Sequence, residues 1–332
     1  MKYLIGEFEE QSFTQIIFPH KDTDWHEYLE DAQNNFIEII NAVIQYQKCL
    51  VICENIPSVK CHFKSNPNLH FIEYKTDDTW ARDCSALSIY EDGEIQLYDF
   101  TFSAWGDKFE ATKDNLMSQQ ISKHYSKNMQ TIDFILEGGG VESNGLDTIL
   151  TTSACMLNTN RNNSLTPQNI TDKLKNIFGV QNILYLKHGY LSGDDTDSHI
   201  DTLARFISKD TIMYVKCEDK EDEHYEELLL MENELKIIAK KYKFKLIPLP
   251  MASAVYYKEE RLPATYANFL FVNGAILLPV YGVKEDALAL EIFKRTFVHL
   301  DIIPINCSIL IRQHGSLHCV TMNFASGVSI LI

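Results

Sequence analysis

Near the C-terminal end of the chain, Cys319 follows a short glycine-containing segment and precedes an apolar stretch that favours a β-strand. A cysteine thiolate is a strong nucleophile that can form covalent intermediates. The chain also carries His199, with Asp201 two residues beyond it. A thiol, an imidazole and a carboxylate in one site would form a hydrolase that works through a covalent cysteine intermediate.

Two further motifs are acidic. The sequence W-A-R-D ends at Asp83, and Glu137 precedes three consecutive glycines. Those glycines lack the G-K-[ST] continuation of a phosphate-binding loop. Carboxylates that converge on one site bind cations, and paired contacts to a flat guanidinium fix its orientation as well as its charge. We therefore expect the group attacked by the thiol to be a cation.

Each of these residues also has an ordinary structural explanation when it is taken alone. Cys319 could be a buried core thiol, and His199 could be a hydrogen-bonded loop histidine. Asp201 could cap a turn, Glu137 could anchor one, and Asp83 could pair with the neighbouring arginine. The catalytic hypothesis therefore depends on all five residues lying together.

Four more residues could contact a cationic substrate. An aromatic face suits a guanidinium or ammonium group, and an acidic loop could capture a distal amine. The candidates are Trp80, Trp105, Asp195 and Asp197. The tryptophans could equally belong to the core, and the aspartates to a solvated loop.

Other functions can be built from the same residues. His318 is adjacent to the thiol and could act as its base, but neighbouring residues on a strand point to opposite faces, so we favour His199. The pair of His199 and Asp201 could instead belong to a metal hydrolase, which chelators would inactivate. A non-catalytic module that binds amines would use the same acidic side chains.

The composition is that of an ordinary soluble protein with an acidic charge balance. The 332 residues can bury a large core, and 46 acidic against 30 basic residues give a net charge of −16. This balance argues against nucleic-acid binding, which usually needs a basic face. No apolar run reaches about eighteen residues and the first residues lack an apolar leader segment, so we expect a cytoplasmic protein without a membrane span.

Eight cysteines are dispersed along the chain without a C-x-x-C pair. In a reducing compartment most of them should be free and buried as small hydrophobic residues. Cys49, Cys53 and His62 could suggest a zinc site, but residues 49–53 form an apolar run that is typical of a buried strand. We therefore predict no metal there.

Four strand–turn–strand patterns organise the chain. Three of their turns are Asp-Gly or Asn-Gly pairs, which are the strongest short hairpin signals. Each hairpin is followed by a helical stretch and then by another apolar strand. The hairpins span 86–102, 140–152, 203–217 and 269–281, and the helices that follow them span 113–127, 167–178, 219–242 and 284–299.

These patterns predict five ββαβ units of about 65 residues each. A helix over 24–46 and a strand over 49–53 belong to the fifth unit, which is completed by joining the two ends of the chain. Self-similarity of this kind favours a closed ring. We therefore predict an α/β fold, a five-bladed pseudo-symmetric α/β propeller, with a single catalytic domain over residues 1–332.

The candidate catalytic residues occupy the same place in successive units. Asp83 and Glu137 precede the first and second hairpins, His199 and Asp201 precede the third, and Cys319 precedes the final strand. Equivalent positions of a pseudo-symmetric ring meet near its axis. We therefore expect residues scattered from position 83 to position 319 to share one pocket.

Taken in order, the motifs resemble those of the agmatine deiminase and bacterial peptidylarginine deiminase family. That family lies within a guanidine-modifying superfamily, with a pentein-like fold, that includes arginine deiminases and amidinotransferases. The resemblance runs through the whole chain. It rests on F-E-E-Q at 8–11, F-P-H at 18–20, T-W-A-R-D at 79–83, A-W-G-D-K-F at 104–109, L-E-G-G-G at 136–140, C-M-L-N at 155–158, N-R-N at 160–162, D-T-D-S-H-I-D at 195–201 and H-C-V-T at 318–321.

The resemblance implies a hydrolase that removes ammonia from a guanidinium. It implies that Asp83 and Asp201 hydrogen-bond the guanidinium nitrogens and that Cys319 attacks the guanidinium carbon, which gives a thiouronium intermediate. His199 would protonate the departing ammonia and then activate water, while Glu137 would orient His199. The resemblance implies no metal and no organic cofactor, and a homodimer is common among such relatives.

The expected substrate is agmatine, a small cationic guanidino compound, which would yield N-carbamoylputrescine and ammonia. The alternative is peptidyl-arginine or free arginine. The chain departs from the family at C-S-A in 84–86, where Thr-Gly-Pro is usual, at Ser198, where glycine is usual, and at G-S-L in 315–317. None of these departures removes a predicted catalytic group, and they bear on the distal half of the substrate.

Overall fold

The computed structural model describes residues 1–331 and shows a mixed α/β fold. The strands are β1 Lys2–Leu4, β2 Gln11–Ile17, β3 Lys48–Cys53, β4 Leu69–Glu73, β5 Leu87–Glu91, β6 Glu94–Thr101, β7 Met129–Ile135, β8 Glu142–Ser143, β9 Thr148–Thr152, β10 Asn182–Leu186, β11 Ala204–Ser208, β12 Thr211–Lys216, β13 Lys245–Pro250, β14 Val255–Tyr257, β15 Glu260–Leu262, β16 Leu270–Val272, β17 Ala275–Val280, β18 Asp301–Asn306 and β19 Thr321–Ala325. The α-helices are α1 Leu29–Val43, α2 Ile56–Lys60, α3 Ala81–Cys84, α4 Ala104–Asp107, α5 Thr112–Gln120, α6 Ser153–Met156, α7 Pro167–Phe178, α8 Tyr225–Tyr242 and α9 Glu285–Thr296. Short 3-10 turns lie at His26–Tyr28, Ser122–His124, Gly138–Gly140, Ile200–Thr202 and Leu310–Gln313.

One pairing pattern recurs in separate small sheets of the described residues. Two antiparallel strands are followed by a helix, and the next strand then pairs in parallel with the second strand of the hairpin. The sheets β5–β6–β7, β8–β9–β10, β11–β12–β13 and β16–β17–β18 follow this pattern, with α5, α7, α8 and α9 as their connecting helices. These sheets correspond to four of the predicted ββαβ units.

The two ends of the chain build a fifth sheet of the same kind. β19 pairs antiparallel with β2, which pairs in parallel with β3 across α1, and β4 adds an outer parallel strand. The last strand therefore completes the unit that the N-terminal segment begins, as the hairpin pattern predicts. Because Cys319 lies in the turn just before β19, this pairing also fixes the position of the thiol.

The β5–β6 turn has the backbone that its sequence predicts. Asp92 and Gly93 have positive φ angles of 48° and 97°, as a two-residue turn between β5 and β6 requires. Gly274 in the β16–β17 turn also has a positive φ, but Asn273 does not. The second hairpin pairs Ser143 with Ile149 and residues 144–147 connect its strands, so the predicted tight turn at Asn144 and Gly145 is wrong. The β11–β12 turn contains no glycine, and its hairpin shows a register shift between Phe206 and Ser208.

Some boundaries differ from the predicted ones. The acidic segment 219–224 lies outside α8 because turns precede that helix. Helix α1 starts five residues after the predicted position 24 because turns and a short 3-10 segment precede it. The small hairpin β14–β15 was not predicted. Its turn residues, Lys258 and Glu259, both have positive φ, but neither residue type signals such a turn.

Buried apolar side chains form one contiguous cluster that includes residues of all five of these sheets. The helices contribute through one face each, with Phe36 and Ile39 from α1 and Leu235 from α8 among the fully buried residues. Cys49 and Cys53 are buried free thiols in β3, as predicted, and Cys61 is exposed. Within residues 1–331, no helix combines the length and the apolar character that a membrane crossing needs.

Candidate active site

A cavity of about 370 Å³ opens beside the predicted nucleophile. Its lining is strongly acidic and aromatic: Asp22, Asp24, Asp77, Asp78, Trp80, Asp83, Phe102, Ala104, Trp105, Phe109, Glu110, Ala111, Asp114, Asp195, Thr196, Gln313, His314, Gly315 and Cys319. Eight of these residues are Asp or Glu, and the lining contains neither lysine nor arginine. A cavity with this lining favours a cation over an anion.

Cys319 lines this cavity and is 5% exposed. Its Sγ is 3.4 Å from Oδ1 of Asn268 and 3.9 Å from Oδ2 of Asp201. Burial, together with the negative charges of Asp201 and Asp83, raises the pKa of the thiol well above its ordinary value. These surroundings favour the neutral thiol, and a bound cation would favour the thiolate.

Asp83 lies on α3 and lines the cavity. Its Oδ1 accepts the backbone N–H of Gly139 at 2.9 Å, and its Oδ2 accepts the indole N–H of Trp105 at 3.2 Å. Burial raises the pKa of Asp83 to about 6, and the charge of Asp201 adds to the effect, although His199 opposes it. The predicted local ion pair with Arg82 does not form, because Arg82 pairs with Glu7 instead.

His199 is buried beside two carboxylates. Its Nδ1 is 3.7 Å from Oδ1 of Asp83, and its Nε2 is 3.8 Å from Oε2 of Glu137. Neither ring nitrogen has a hydrogen-bond partner within residues 1–331. Burial alone would lower the pKa of His199, but the negative charge of Asp83 and the nearby Cys155 and Glu137 together outweigh it, so the pKa lies well above its ordinary value. The imidazole is thus charged and free to donate a proton.

Glu137 is held by a buried arginine. Nε of Arg161 donates to both carboxylate oxygens, at 3.0 and 2.8 Å. Burial would raise the pKa of Glu137, but the nearby His199 and the charge of Arg161 lower it overall. An ionised Glu137 beside the ring favours the charged form of His199.

The glycine that follows the E-G motif is required by packing. A Cβ atom added to Gly139 would lie 2.7 Å from Nδ1 of His199, 2.9 Å from Oδ1 of Asp83 and 3.1 Å from Oδ2 of Asp201. Gly139 is therefore the point at which these three side chains meet. The structure brings Asp83, Glu137, His199, Asp201 and Cys319 into one cluster, although Asp83 and Cys319 alone among them line the cavity.

Asp201 has one oxygen held and one free. Its Oδ2 contacts Nδ1 of His318 at 2.7 Å and Nδ2 of Asn268 at 3.3 Å. Its Oδ1 is buried without a hydrogen-bond partner within the described residues. Burial would raise the pKa of Asp201, but the hydrogen bond and charge of His318 lower it. Asp201 is thus an ionised carboxylate with an open acceptor.

Both predicted tryptophans line the cavity. Trp80 donates its indole N–H to Oδ2 of Asp78 at 2.8 Å, and its ring centroid lies 6.2 Å from that of Trp105. Trp105 lies in α4, which is a left-handed turn because Trp105 and Gly106 have positive φ. A Cβ added to Gly315 would lie 2.1 Å from the ring of Trp80. The tryptophans form the cavity wall, and Trp105 also orients Asp83.

The two predicted aspartates of the 194–199 loop lie in different surroundings. Asp195 lines the cavity, and burial, together with the nearby Asp194, raises its pKa to about 6. Asp197 is not part of the lining. Its carboxylate pairs with Lys108 at 2.9 Å and with Arg161 at 2.7 Å. Asp195 is therefore available to a cation in the cavity, whereas the charge of Asp197 is already balanced.

His318 corrects one step of the sequence reasoning. We expected it to point away from the site because adjacent residues of a strand alternate, but residues 317–320 form a turn before β19. His318 therefore lies beside Asp201, and its Nε2 contacts Glu7 at 2.8 Å. The ring contacts Asp201 and not the thiol, so it is not placed as the base.

Three other residues of the cluster were not predicted. Arg161 belongs to the N-R-N motif, yet its pairing with Glu137 cannot be read from spacing. Asn268 precedes the fourth hairpin, the position equivalent to the other site residues, and this equivalence could have identified it. Asn268 accepts the backbone N–H groups of both His318 and Cys319, at 2.9 and 3.3 Å. Glu7 lies in the N-terminal loop and carries no motif signal.

A solved structure of low sequence identity shares this fold. An amidinotransferase from Microseira wollei is 10% identical and superimposes with a TM-score of 0.56 over 97% of this chain and 96% of its own. This likeness establishes the fold class alone.

Sequence comparison then identifies the family. The family model of the Porphyromonas-type peptidyl-arginine deiminases matches residues 3–324, and the chain belongs to that family. A substrate-bound Cys→Ser variant of C. jejuni agmatine deiminase is 42% identical, with a TM-score of 0.94 over 98% of this chain and 97% of its own. Agmatine deiminase of Enterococcus faecalis is 27% identical, with a TM-score of 0.89 over 97% of this chain and 95% of its own. The resemblance inferred from the motifs is confirmed.

Proposed function

We propose that this protein is an agmatine deiminase, which converts agmatine and water into N-carbamoylputrescine and ammonia. The observation that carries the proposal is the cavity that joins a buried thiol to an acidic, aromatic lining without lysine or arginine. The similarity to agmatine deiminases over almost the whole chain supports the same substrate. The reaction needs a nucleophile, a proton donor and a clamp for the guanidinium, and the cluster contains all three.

In the proposed reaction, the guanidinium enters between Asp83 and the free Oδ1 of Asp201, which accept its N–H groups. The positive charge lowers the pKa of the Cys319 thiol, which releases its proton to solvent, and the sulfur attacks the guanidinium carbon. His199, held charged by Asp83 and Glu137, protonates one nitrogen, and the C–N bond to that nitrogen breaks to release ammonia. The product of this half-reaction is a thiouronium bound to Cys319.

In the second half-reaction, neutral His199 accepts a proton from water as the oxygen attacks the thiouronium carbon. The C–S bond then breaks, and the leaving sulfur takes up the proton of the new hydroxyl group, which restores the thiol. The carbon keeps the oxygen and becomes the ureido group of the product. The proton released in the first half-reaction converts ammonia into ammonium, so the protons balance without a metal or an organic cofactor.

The acidic lining of the cavity suits agmatine better than arginine. The end of agmatine away from its guanidinium is an ammonium group, whereas arginine carries a carboxylate as well as an ammonium group there. Asp78, Asp114 and Asp195 line the cavity, and burial raises the pKa of Asp114 to about 7 and that of Asp195 to about 6. Such carboxylates gain from an added cation and would repel an added anion.

We also propose that the five ββαβ units form a pseudo-symmetric α/β propeller and that residues 1–332 are one catalytic domain. The shared pairing pattern, the joining of the chain ends in one sheet and the single apolar cluster support this arrangement. A homodimer in the cytoplasm is the expected setting. Size-exclusion chromatography with light scattering would test the oligomeric state.

An ammonia-release assay tests the function. Agmatine should be the preferred substrate in a panel with arginine, a blocked arginine peptide and butylguanidine. Rapid quench during turnover, followed by mass spectrometry, should show an amidino adduct on the peptide that contains Cys319. Cys319→Ser should lower kcat by about 10⁴-fold or more, whereas Cys61→Ser, which changes an exposed thiol, should not. Activity retained in Cys319→Ser would refute the covalent reaction.

A further inference from the structure

The hydrogen bonds of Asp201 are one-sided. Oδ2 has two nitrogen neighbours, His318 at 2.7 Å and Asn268 at 3.3 Å, while Oδ1 has none in residues 1–331. Because Asp201 is ionised, its oxygens can only accept, and Nδ1 of His318 must carry the hydrogen between them. A carboxylate is planar and rigid. Holding one oxygen from two directions therefore fixes where the other oxygen points.

His318 is in turn held from its far side. Its Nε2 lies 2.8 and 2.9 Å from the two oxygens of Glu7. Glu7 also pairs with Arg82 and, at 2.6 Å, with Arg205. Burial alone would raise the pKa of Glu7, but the charges of Arg82, His318 and Arg205 lower it. With Glu7 and Asp201 both ionised, both ring nitrogens of His318 donate and the ring is charged. The two carboxylates favour that charge, whereas burial and the two arginines oppose it and lower the pKa of His318. The N-terminal loop thus supplies an ionised anchor behind the imidazole.

The arginines around Glu7 are themselves fixed. Arg205 is fully buried and donates to the backbone carbonyls of Ala267 and Phe269 at 3.1 and 2.8 Å. Arg82 donates to Oδ1 of Asn323 at 2.7 Å. A chain of buried contacts therefore runs from rigid backbone through Glu7 and the imidazole to Asp201. This chain contains no group that lines the substrate cavity.

We propose that His318 is a positioning residue, anchored by Glu7, which aims the free oxygen of Asp201 at the substrate guanidinium. The proposal rests on the deiminase function proposed above. Its specific content is that the Nδ1 hydrogen bond to Asp201 matters for cation recognition, while the proximity of His318 to the thiol does not. Loss of that hydrogen bond should therefore weaken reactions of cations at Cys319 more than reactions of neutral molecules.

Two substitutions separate these effects. In His318→Asn the amide Nδ2 can replace the Nδ1 donor to Asp201, while the Glu7 contact is lost. In His318→Leu both contacts are lost and the volume is largely kept. We expect kcat/KM for agmatine to fall by about 100-fold in His318→Leu and by less than about tenfold in His318→Asn, consistent with the worth of a hydrogen bond to a charged group.

Alkylation of Cys319 gives a second measurement that does not need turnover. The probes are 2-chloroacetamidine, a cationic amidine, and iodoacetamide, which is neutral. His318→Leu should lose most of the preference of Cys319 for the cationic probe while its rate with iodoacetamide changes by less than about threefold, and His318→Asn should keep the preference. Modification is followed by mass spectrometry of the Cys319 peptide.

The outcomes are distinct. Equal loss of both alkylation rates in His318→Leu would show that His318 supports the turn rather than Asp201, and the proposal would be wrong. An unchanged preference for chloroacetamidine would also overturn it. If the protein without substitutions releases no ammonia from agmatine, the proposed function is wrong. The alkylation rates would still show whether His318 positions Asp201. Glu7→Gln should shift the preference in the same direction as His318→Leu, and its failure to do so would refute the anchor.

Discussion

The carboxylates packed behind the cavity and some of those that line it differ in whether the protein supplies a counter-charge. Behind the cavity is a floor in which each of three anions faces an arginine or a histidine: Glu7, Glu137 and Asp201. The lining carries a second group, the acidic mouth, whose carboxylates face no buried arginine: Asp78, Asp114 and Asp195. The pKa values of the floor group are lowered and those of the mouth group are raised, despite burial of both.

The difference separates structure from recognition. A buried carboxylate that already has its cation gives rigidity, while one that lacks a cation is destabilising until a ligand supplies the charge. Glu142 is an exception within the floor. It pairs with Arg205, yet burial and the nearby Glu7 raise its pKa to about 8. One arginine shared between two carboxylates does not fully balance both.

We expect the largest loss of stability when a cation that pairs with a floor carboxylate is removed. Arg161→Met leaves Glu137 buried without its partner, which typically costs about 3–5 kcal/mol in the free energy of unfolding. Lys108→Met is the matched control, because Lys108 also pairs with Asp197 but is one-third exposed, so its removal should cost less than about 1 kcal/mol. Urea denaturation measures both values. Equal losses of unfolding free energy in the two variants would mean that a buried counter-charge contributes no more than an exposed one. The distinction between floor and mouth would then have no energetic basis.

A double substitution sharpens the same point. Arg161→Met combined with Glu137→Gln removes both charges and should recover much of the lost stability, although not the activity. Continued instability in the double variant would show that Arg161 acts through Thr196 and Asp197 on the 194–199 loop instead of through Glu137. Circular dichroism confirms that each variant is folded before denaturation.

The features that the sequence predicted are the ones with local signals, while the charge pairs of the floor were not predicted. The hairpin turns and the crossover helices could be predicted because turn residues and hydrophobic periodicity are local signals. The five catalytic candidates were found through their motifs and their equivalent positions in the units, and their roles stay a prediction. The pairing of Glu7 with Arg82 could not be predicted, since 75 positions separate the two side chains and neither has a distinctive neighbour. His318 was misread because the alternation of side chains along a strand was applied to residues 318 and 319, whereas the strand begins at Thr321.

Asp197 and Asp195 belong to one motif, yet the sequence could not predict that their surroundings differ. Both are aspartates in one acidic loop, so the sequence analysis gave them the same role. The structure turns Asp195 toward the cavity and Asp197 toward Arg161. Which carboxylate finds a cation depends on a residue 36 positions away, and no local pattern encodes that choice.

A mouth carboxylate should affect binding more than stability. Asp195→Asn should raise KM for agmatine about tenfold, roughly 1.4 kcal/mol of binding free energy, with little change in KM for butylguanidine, which lacks a distal charge. Asp22→Asn is the matched control, because Asp22 lines the same cavity but already pairs with Lys75 at 2.6 Å. Steady-state ammonia release measures all four values. Similar changes in both variants would mean that the mouth acts only through its overall charge.

The pH dependence of binding has a defined sign. Burial raises the pKa of Asp195 to about 6, so Asp195 is ionised above that pH and loses its charge below it. KM for agmatine should therefore rise as the pH falls from about 7.5 to about 5.5, and rise less in Asp195→Asn. Agmatine binding to Cys319→Ser near pH 6 should also release protons, because the ligand cation favours ionised carboxylates. Calorimetry in two buffers with different ionisation enthalpies measures this release, and proton uptake would contradict the assignment.

The smallest effect concerns the loop that connects the mouth to the floor. Asp197 and Ser198 have positive φ angles of 66° and 64°, which lets Asp195 face the cavity while His199 reaches the floor. A left-handed residue other than glycine costs about 1–2 kcal/mol, and the greater freedom of glycine in the unfolded chain offsets part of this strain. Ser198→Gly should therefore raise the free energy of unfolding by no more than about 1 kcal/mol, and Ser198→Val should lower it. Thermal denaturation compares the variants. A loss of stability in Ser198→Gly would show that the hydroxyl or Cβ of Ser198 holds the loop, and that the backbone turn alone does not join the two regions.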